Sequence, residues 1–294
     1  MRRESITALL AGVIDYAGLF PPAGLSMSAA AAEYHAALTS PHAWMLGRFV
    51  VPAARLSELA EARHALPLHT QWAISAIVRD GSHDDLNSLA AFNADAVRQQ
   101  ARVGTVEAKP QSLDSVDWLA AQAGAGIEVY VEVAPGPDVD QWLDRVATRG
   151  LRAKVRTGGL TADAFPTPTA LAAFIAAAVR HRVPFKATAG LHHAVRGAYR
   201  LTYDDGAQHA PMYGYLNVLL ATAAVRDGRP ASVAEAILQQ SDTSALAFAD
   251  DAITWGAEQF PLSSVRDTRQ HHLVSFGSCS FREPVDEFDA LASR

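Results

Sequence analysis

Lys154 lies in LRAKVRT and Lys186 in VPFKATA, two runs that alternate as β-strands do, in a chain whose 25 basic residues include three lysines. The third is Lys109, at the end of VGTVEAK. An arginine guanidinium stays protonated in a protein, whereas a desolvated lysine can lose its proton and attack a carbonyl carbon. Lysine retained in so arginine-rich a chain points to base or Schiff-base chemistry. That chemistry needs carboxylates to move protons, and Glu107 and Glu132 stand in runs of the same alternating kind. His192 and His193 follow the Lys186 run, His192 as a further acid–base candidate and His193 as a substrate contact. Arg48 and Arg156 are cations suited to an anionic group, and Thr188 adds a hydroxyl near the same strand end.

These residues need elements to hold them. Candidate strands cover 8–16, 44–51, 71–78, 103–109, 127–133, 151–157, 183–189 and 272–278. Alanine-rich runs with apolar residues at three- and four-residue spacing lie between most of them, as amphipathic helices require. Strand–helix alternation predicts a parallel sheet with crossover helices, and eight strands predict a (β/α)8 TIM barrel. The interval between the seventh and eighth strands is long and holds three more helical patterns, ending with TSALAFADDAITWGAEQF. It is expected to contain the seventh barrel helix and, within 197–270, an inserted helical cap. The whole chain, 1–294, reads as one barrel domain.

Successive side chains of a strand point to opposite faces. In 151–157 one face carries Leu151, Ala153, Val155 and Thr157, the other Arg152, Lys154 and Arg156. In 127–133, Glu128, Tyr130 and Glu132 oppose four aliphatic residues. The apolar faces suit the surrounding helices, so the charged faces should point into the barrel. Buried charges require partners, and acids and bases on adjacent strands can supply them. Glu107, Glu132, Lys154 and Lys186 fall near the carboxyl ends of their strands, where such barrels place catalytic groups.

Lys154-Val155-Arg156-Thr157-Gly158 and Lys186-Ala187-Thr188-Ala189-Gly190 resemble the paired lysine motifs of deoxyribose-phosphate aldolase and its class I aldolase relatives. Those enzymes carry Lys-Thr-Ser-Thr-Gly and, a little over thirty residues on, Lys-Ala-Ser-Gly-Gly. The turn Gly277-Ser278-Cys279-Ser280 is similar to that family's Gly-Thr-Ser turn, which helps bind a substrate phosphate. The resemblance implies that Lys154 is the Schiff-base lysine, that Lys186 lowers its pKa, and that Gly277, Ser278 and Cys279 contribute to anion binding. Arg156 replaces a small residue of the family, and Ala189-Gly190-Leu191-His192-His193 replaces its Gly-Gly cradle. The substrate should therefore differ from that family's own.

A net charge of −6 with no clustered Lys/Arg stripe argues against a nucleic-acid partner. No run approaches about 18 uninterrupted apolar residues, so no membrane partner is expected. The basic, apolar start of the chain is broken by Asp15 and lacks a clean cleavage site, and a cytoplasmic setting follows. The one cysteine, Cys279, excludes an intrachain disulfide. The reading that emerges is a cofactor-independent, Schiff-base lyase acting on a small anionic carbonyl compound, with no metal. A homo-oligomer is compatible with it, of no order the sequence sets. Two alternatives are a metal-dependent lyase or hydrolase built on the loop histidines, and a non-catalytic barrel that binds a small anion.

Overall fold

A computed structural model describes residues 2–67, 70–122, 124 and 126–293. Its strands and helices alternate along most of the chain. Helix α1 (Glu4–Leu10) precedes β1 (Ile14–Tyr16), then α2 (Met27–Leu38), β2 (Leu46–Pro52), α3 (Leu56–His64) and β3 (Trp72–Val78). Helices α4 (His83–Ala94) and α5 (Ala96–Gln99) lead to β4 (Ala101–Ala108), and α6 (Leu113–Gln122) to β5 (Glu128–Glu132). Next come α7 (Val139–Thr148), β6 (Arg152–Arg156), α8 (Pro168–Arg180) and β7 (Phe185–Thr188). The closing strand is β13 (Leu273–Ser278), followed by α12 (Arg282–Ala292). The strands β1 to β7 and β13 pair in parallel and close into a barrel, with β13 between β7 and β1. This is the (β/α)8 barrel the alternation predicts.

The outward faces of the strands are apolar because the helices cover them. Tyr34 of α2 meets Trp72 of β3 edge-on at 4.8 Å and Phe49 of β2 at 5.4 Å. Helix α8 opens with the Thr167 hydroxyl accepting from Ala170 N, and Pro168 sits in its first turn, where the missing N–H costs nothing. The stretch Ala162–Arg180 is long and apolar enough by composition to cross a membrane. Leu171, Phe174 and Ile175 are nevertheless buried in the barrel's own core, with Phe174 edge-on to Phe185 of β7. Burying a side chain of that size contributes about 1.5–3 kcal/mol.

Three local expectations are corrected. Residues 8–16 form a helix end, a turn through Gly12 at φ +59 and a three-residue strand, rather than one long strand. Lys109 lies one residue beyond β4 and is exposed, so two of the three lysines are strand residues. The segment between β7 and β13 carries helices, as expected, but strands as well. It holds a hairpin, β8 (Gly197–Arg200) and β9 (His209–Met212), then α9 (Tyr215–Arg226) and α10 (Ala231–Gln239). The run expected as a third helix is an antiparallel sheet, β10 (Leu246–Phe248), β11 (Ala252–Trp255) and β12 (Glu258–Pro261), leading into α11 (Leu262–His271). Gly256, at φ +61 between Trp255 and Glu258, makes the β11–β12 turn that a helix would forbid. This sheet packs near α1 and α12, with Phe248 edge-on to Phe288 and the Ser5 hydroxyl donating to Ala249 O. The hairpin β8–β9 is what reaches the barrel mouth.

Candidate active site

The polar interior is identified by bonds that cross the lumen. Lys186 of β7 donates to Asp15 Oδ2 of β1 and to Glu107 Oε1 of β4, each at 2.6 Å. Strands β7 and β4 are not neighbours, so these side chains meet only inside the barrel. Lys154 of β6, directly beside Lys186 in the β6–β7 register, lies 3.2 Å from Glu107 Oε2 and 3.0 Å from Glu132 Oε2 of β5. The Glu107 carboxylate therefore bridges the two lysines, with the Ser75 hydroxyl donating to Oε1 at 2.7 Å. Ser275 donates to Asp15 Oδ2 at 2.8 Å, and the Arg48 backbone N–H to Asp15 Oδ1 at 2.9 Å.

A second layer lies toward the amino ends of the strands. There Glu128 receives Arg48 at 2.8 Å and Arg152 at 2.5 Å. Carboxylates (Asp15, Glu107, Glu128, Glu132) and cations (Arg48, Arg152, Lys154, Lys186) thus balance within the barrel. This pairing is what allows so many charges to be desolvated at once. Burial alone would raise the Glu107 carboxyl, but Lys186 and Lys154 outweigh it and hold the group well below the usual carboxylate range. Burial would likewise lower Lys186, yet Asp15 and Glu107 hold its ammonium above the ordinary lysine value. Lys186 is a fixed cation.

A cavity of about 540 Å³ opens at the carboxyl ends of the strands. Glu107, Glu132, Lys154, Lys186, Arg156, Thr188, His192, Gly277 and Cys279 all line it, so most of the residues singled out in the sequence converge there. Its remaining walls are largely apolar: Phe20, Pro21 and Pro22 from the loop after β1, Leu160 from the loop after β6, and Leu201 and Met212 from the β8–β9 hairpin. Arg48, Ser278 and His193 are placed elsewhere. Arg48 belongs to the layer beneath the cavity. Ser278 is buried, with its hydroxyl 3.5 Å from His192 Nδ1. His193 pairs with Glu287 at 2.6 Å and stacks on Tyr199 of the hairpin.

His192 Nδ1 sits 3.4 Å from Cys279 Sγ. Burial, then the neighbouring His193, pushes the His192 imidazole down to about 4, and burial pushes the Cys279 thiol up to about 11. The pair is therefore a neutral imidazole and a thiol at neutral pH, not an activated thiolate. A midpoint near 4 is expected in a histidine-selective NMR titration, with no transition between pH 6 and 7. Because the folded value is depressed, the unfolded chain takes up this proton first. His192 thus removes stability as pH falls from about 6.5 toward 4. A midpoint near 6.5 would contradict this environment.

Asp15, Ser75 and Ser275 are site residues that sequence patterning missed. Each falls at a register irregularity, in the β1–β2, β3–β4 and β13–β7 pairings respectively. Bulges of this kind re-aim side chains beside active sites. A signal was present for Asp15, a lone acid between apolar strand residues in VIDY. Gly47 makes room for it, since a Cβ there would lie 2.5 Å from Asp15 Oδ1 and 3.1 Å from two backbone oxygens. Gly47→Ala should displace Asp15 from Lys186 and cost about 1–3 kcal/mol in urea unfolding. Ala189, just past β7, adopts φ +64, a strained conformation for a residue with a Cβ, and Thr157 donates to its carbonyl at 2.7 Å.

The geometry defines a (β/α)8 barrel with a two-lysine, three-carboxylate centre at the carboxyl ends of its strands. No protein-family model matches the chain, and no curated protein shows significant similarity to it. Among the described residues, no three His, Cys, Asp or Glu side chains form a group able to hold a metal ion. The metal-dependent alternative therefore has no ligand set in this arrangement.

Proposed function

We propose that the protein is a cofactor-independent lyase of the class I aldolase type, with Lys154 as the Schiff-base nucleophile. The observation that carries this reading is the contrast between the two lysines. Both line the cavity, but Lys186 is held by two carboxylates at 2.6 Å, whereas the two carboxylate contacts of Lys154 are longer, 3.0 and 3.2 Å. In the proposed reaction Lys154 Nζ gives up a proton, adds to the substrate carbonyl and, after loss of water, forms an imine. The protonated imine then accepts the electron pair of the breaking carbon–carbon bond and becomes an enamine. The hydroxyl on the departing carbon gives its proton to a carboxylate and becomes a carbonyl. Protonation of the enamine and hydrolysis release the second product and return Lys154. Glu132 is the proton carrier, because it adjoins Lys154 and lines the cavity while Glu107 is held ionised by both lysines and Ser75. Lys186 keeps Glu107 in place and contributes fixed positive charge beside the imine nitrogen. The paired-lysine resemblance supports the same assignment.

The test is borohydride trapping with a panel of small aldehydes and keto acids, read by intact mass and peptide mapping. The expected result is a reduced adduct on Lys154 that is absent from Lys154→Arg. No adduct across the panel, or one that persists in that variant, would overturn the reading. The balanced ion pairs of the interior also suit a non-catalytic barrel that binds a small anion. That alternative predicts ligand binding without an adduct.

A further inference from the structure

The mouth of the cavity has two polar edges of opposite character. On the β7–β13 edge lies the turn 277–280 and the start of α12, a position where barrels of this kind commonly hold a substrate phosphate. Here two of the protein's own carboxylates stand close beside it. Glu287 accepts from the backbone N–H of Ala194 at 2.7 Å and pairs with His193. Glu283, in the first turn of α12, accepts from the Tyr203 hydroxyl at 2.9 Å and lies 3.9 Å from His192. Tyr203 lies between the hairpin strands, so these contacts also pin the hairpin down over this edge. A phosphate dianion arriving there would face two acids and an N–H already taken.

The β4–β6 edge carries free positive charge instead. Arg156 is exposed, and among the described residues no carboxylate lies within ion-pair distance of it. Lys109 is 71% exposed, with only a 3.7 Å contact to Glu132. Lys109, Glu132 and Arg156 also line a second cavity, of about 680 Å³, so the two spaces meet at these three residues. That second cavity includes Asp138 and Asp163 in its walls. Arg156 and Lys109 can together receive one carboxylate, while the three acids of that cavity disfavour any further negative charge on the ligand. The planar guanidinium of Arg156 matches a carboxylate's two oxygens.

We infer that the substrate is a non-phosphorylated carbonyl compound bearing a carboxylate, which docks on Arg156 with Lys109 beside it while the carbonyl lies at Lys154. This rests on the Schiff-base reading for the carbonyl end alone. Borohydride trapping of the full chain with succinic semialdehyde, butyraldehyde and glyceraldehyde 3-phosphate tests it. Succinic semialdehyde should give half-maximal adduct at a concentration at least about tenfold below the other two, the scale of one charge-assisted contact. Its advantage over butyraldehyde should collapse toward unity in Arg156→Gln. Equal or better trapping of the phosphorylated aldehyde, or a preference that survives in Arg156→Gln, would overturn the inference. A thermal-shift series with butyrate and inorganic phosphate separates the two claims. Butyrate, a monocarboxylate, should stabilise the wild-type protein at lower concentration than phosphate, and Arg156→Gln should lose that shift even if no aldehyde is trapped. A phosphate shift that exceeds that of butyrate, or no butyrate shift at all, would overturn the carboxylate site whatever becomes of Lys154.

Discussion

Lys154→Arg is expected to abolish the borohydride-fixed adduct and to lower the turnover it supports by roughly 10³-fold or more, as loss of a covalent nucleophile does. The substitution is chosen for what it preserves. Glu107 and Glu132 lie 3.2 and 3.0 Å from the Lys154 ammonium and would be left as uncompensated buried charges by a neutral replacement. Arginine keeps a cation between them, and the adjoining cavity of about 540 Å³ gives its longer side chain room. What arginine cannot do is lose a proton and attack. The melting temperature should therefore stay within a few degrees of wild type, since surviving ion pairs limit the loss to about 1 kcal/mol. A variant that still traps aldehyde would move the nucleophile elsewhere. Glu132→Gln should lower turnover about 10²–10⁴-fold while adduct formation is slowed rather than lost.

The barrel was legible in the chain because its strands are apolar on one side and charged on the other. In LRAKVRT and IEVYVEV the alternation reports both the strand and the face that turns inward. The same logic picked out Glu107, Glu132, Lys154 and Lys186, and the pairing of acids with bases on adjacent strands follows from it. The closure of the barrel was not legible at the level of side chains. Lys186 meets Asp15 and Glu107 across the lumen, and alternation along one strand says nothing about register across the interior. The bulges beside Asp15, Ser75 and Ser275 leave no mark in a single sequence. The run 243–260 misled for a different reason: Leu246, Phe248, Ile253, Trp255 and Phe260 satisfy helical spacing approximately, while Asp250-Asp251 and Gly256 are the turn residues that decide for a sheet. His192 and His193 are adjacent in sequence, yet only the first faces the cavity.

Lys186→Met should cost about 3–5 kcal/mol of stability at pH 7, a large share of what holds a domain together, because it strands carboxylates already removed from water. Asp15 would keep the Arg48 N–H and the Ser275 hydroxyl, with only a 3.7 Å contact to the Arg48 guanidinium for charge. Glu107 would keep Lys154 and Ser75. The pH dependence distinguishes this from a simple packing defect. In the wild type, Glu107 is depressed, so its contribution is complete above the unfolded value near pH 4.3 and is lost as pH falls through the folded value. Lys186 is raised, so its contribution is complete below the unfolded value near 10.4 and is lost as pH rises through the folded one. Between about pH 5 and 10 these two groups leave wild-type stability flat. In Lys186→Met the stranded carboxylates favour protonation, so stability should rise as pH is lowered from 8 toward 5. Adding Asp15→Asn should recover part of the loss, since the amide oxygen still accepts from Arg48 N and the buried charge is gone. Urea unfolding at pH 5, 7 and 8 measures all of this. A single variant as stable as wild type at pH 7, or a loss that is equal at every pH and unmoved by Asp15→Asn, would show that Lys186 is not the charge that holds Asp15 and Glu107. It would also remove the reason for assigning the nucleophile to Lys154 rather than to Lys186.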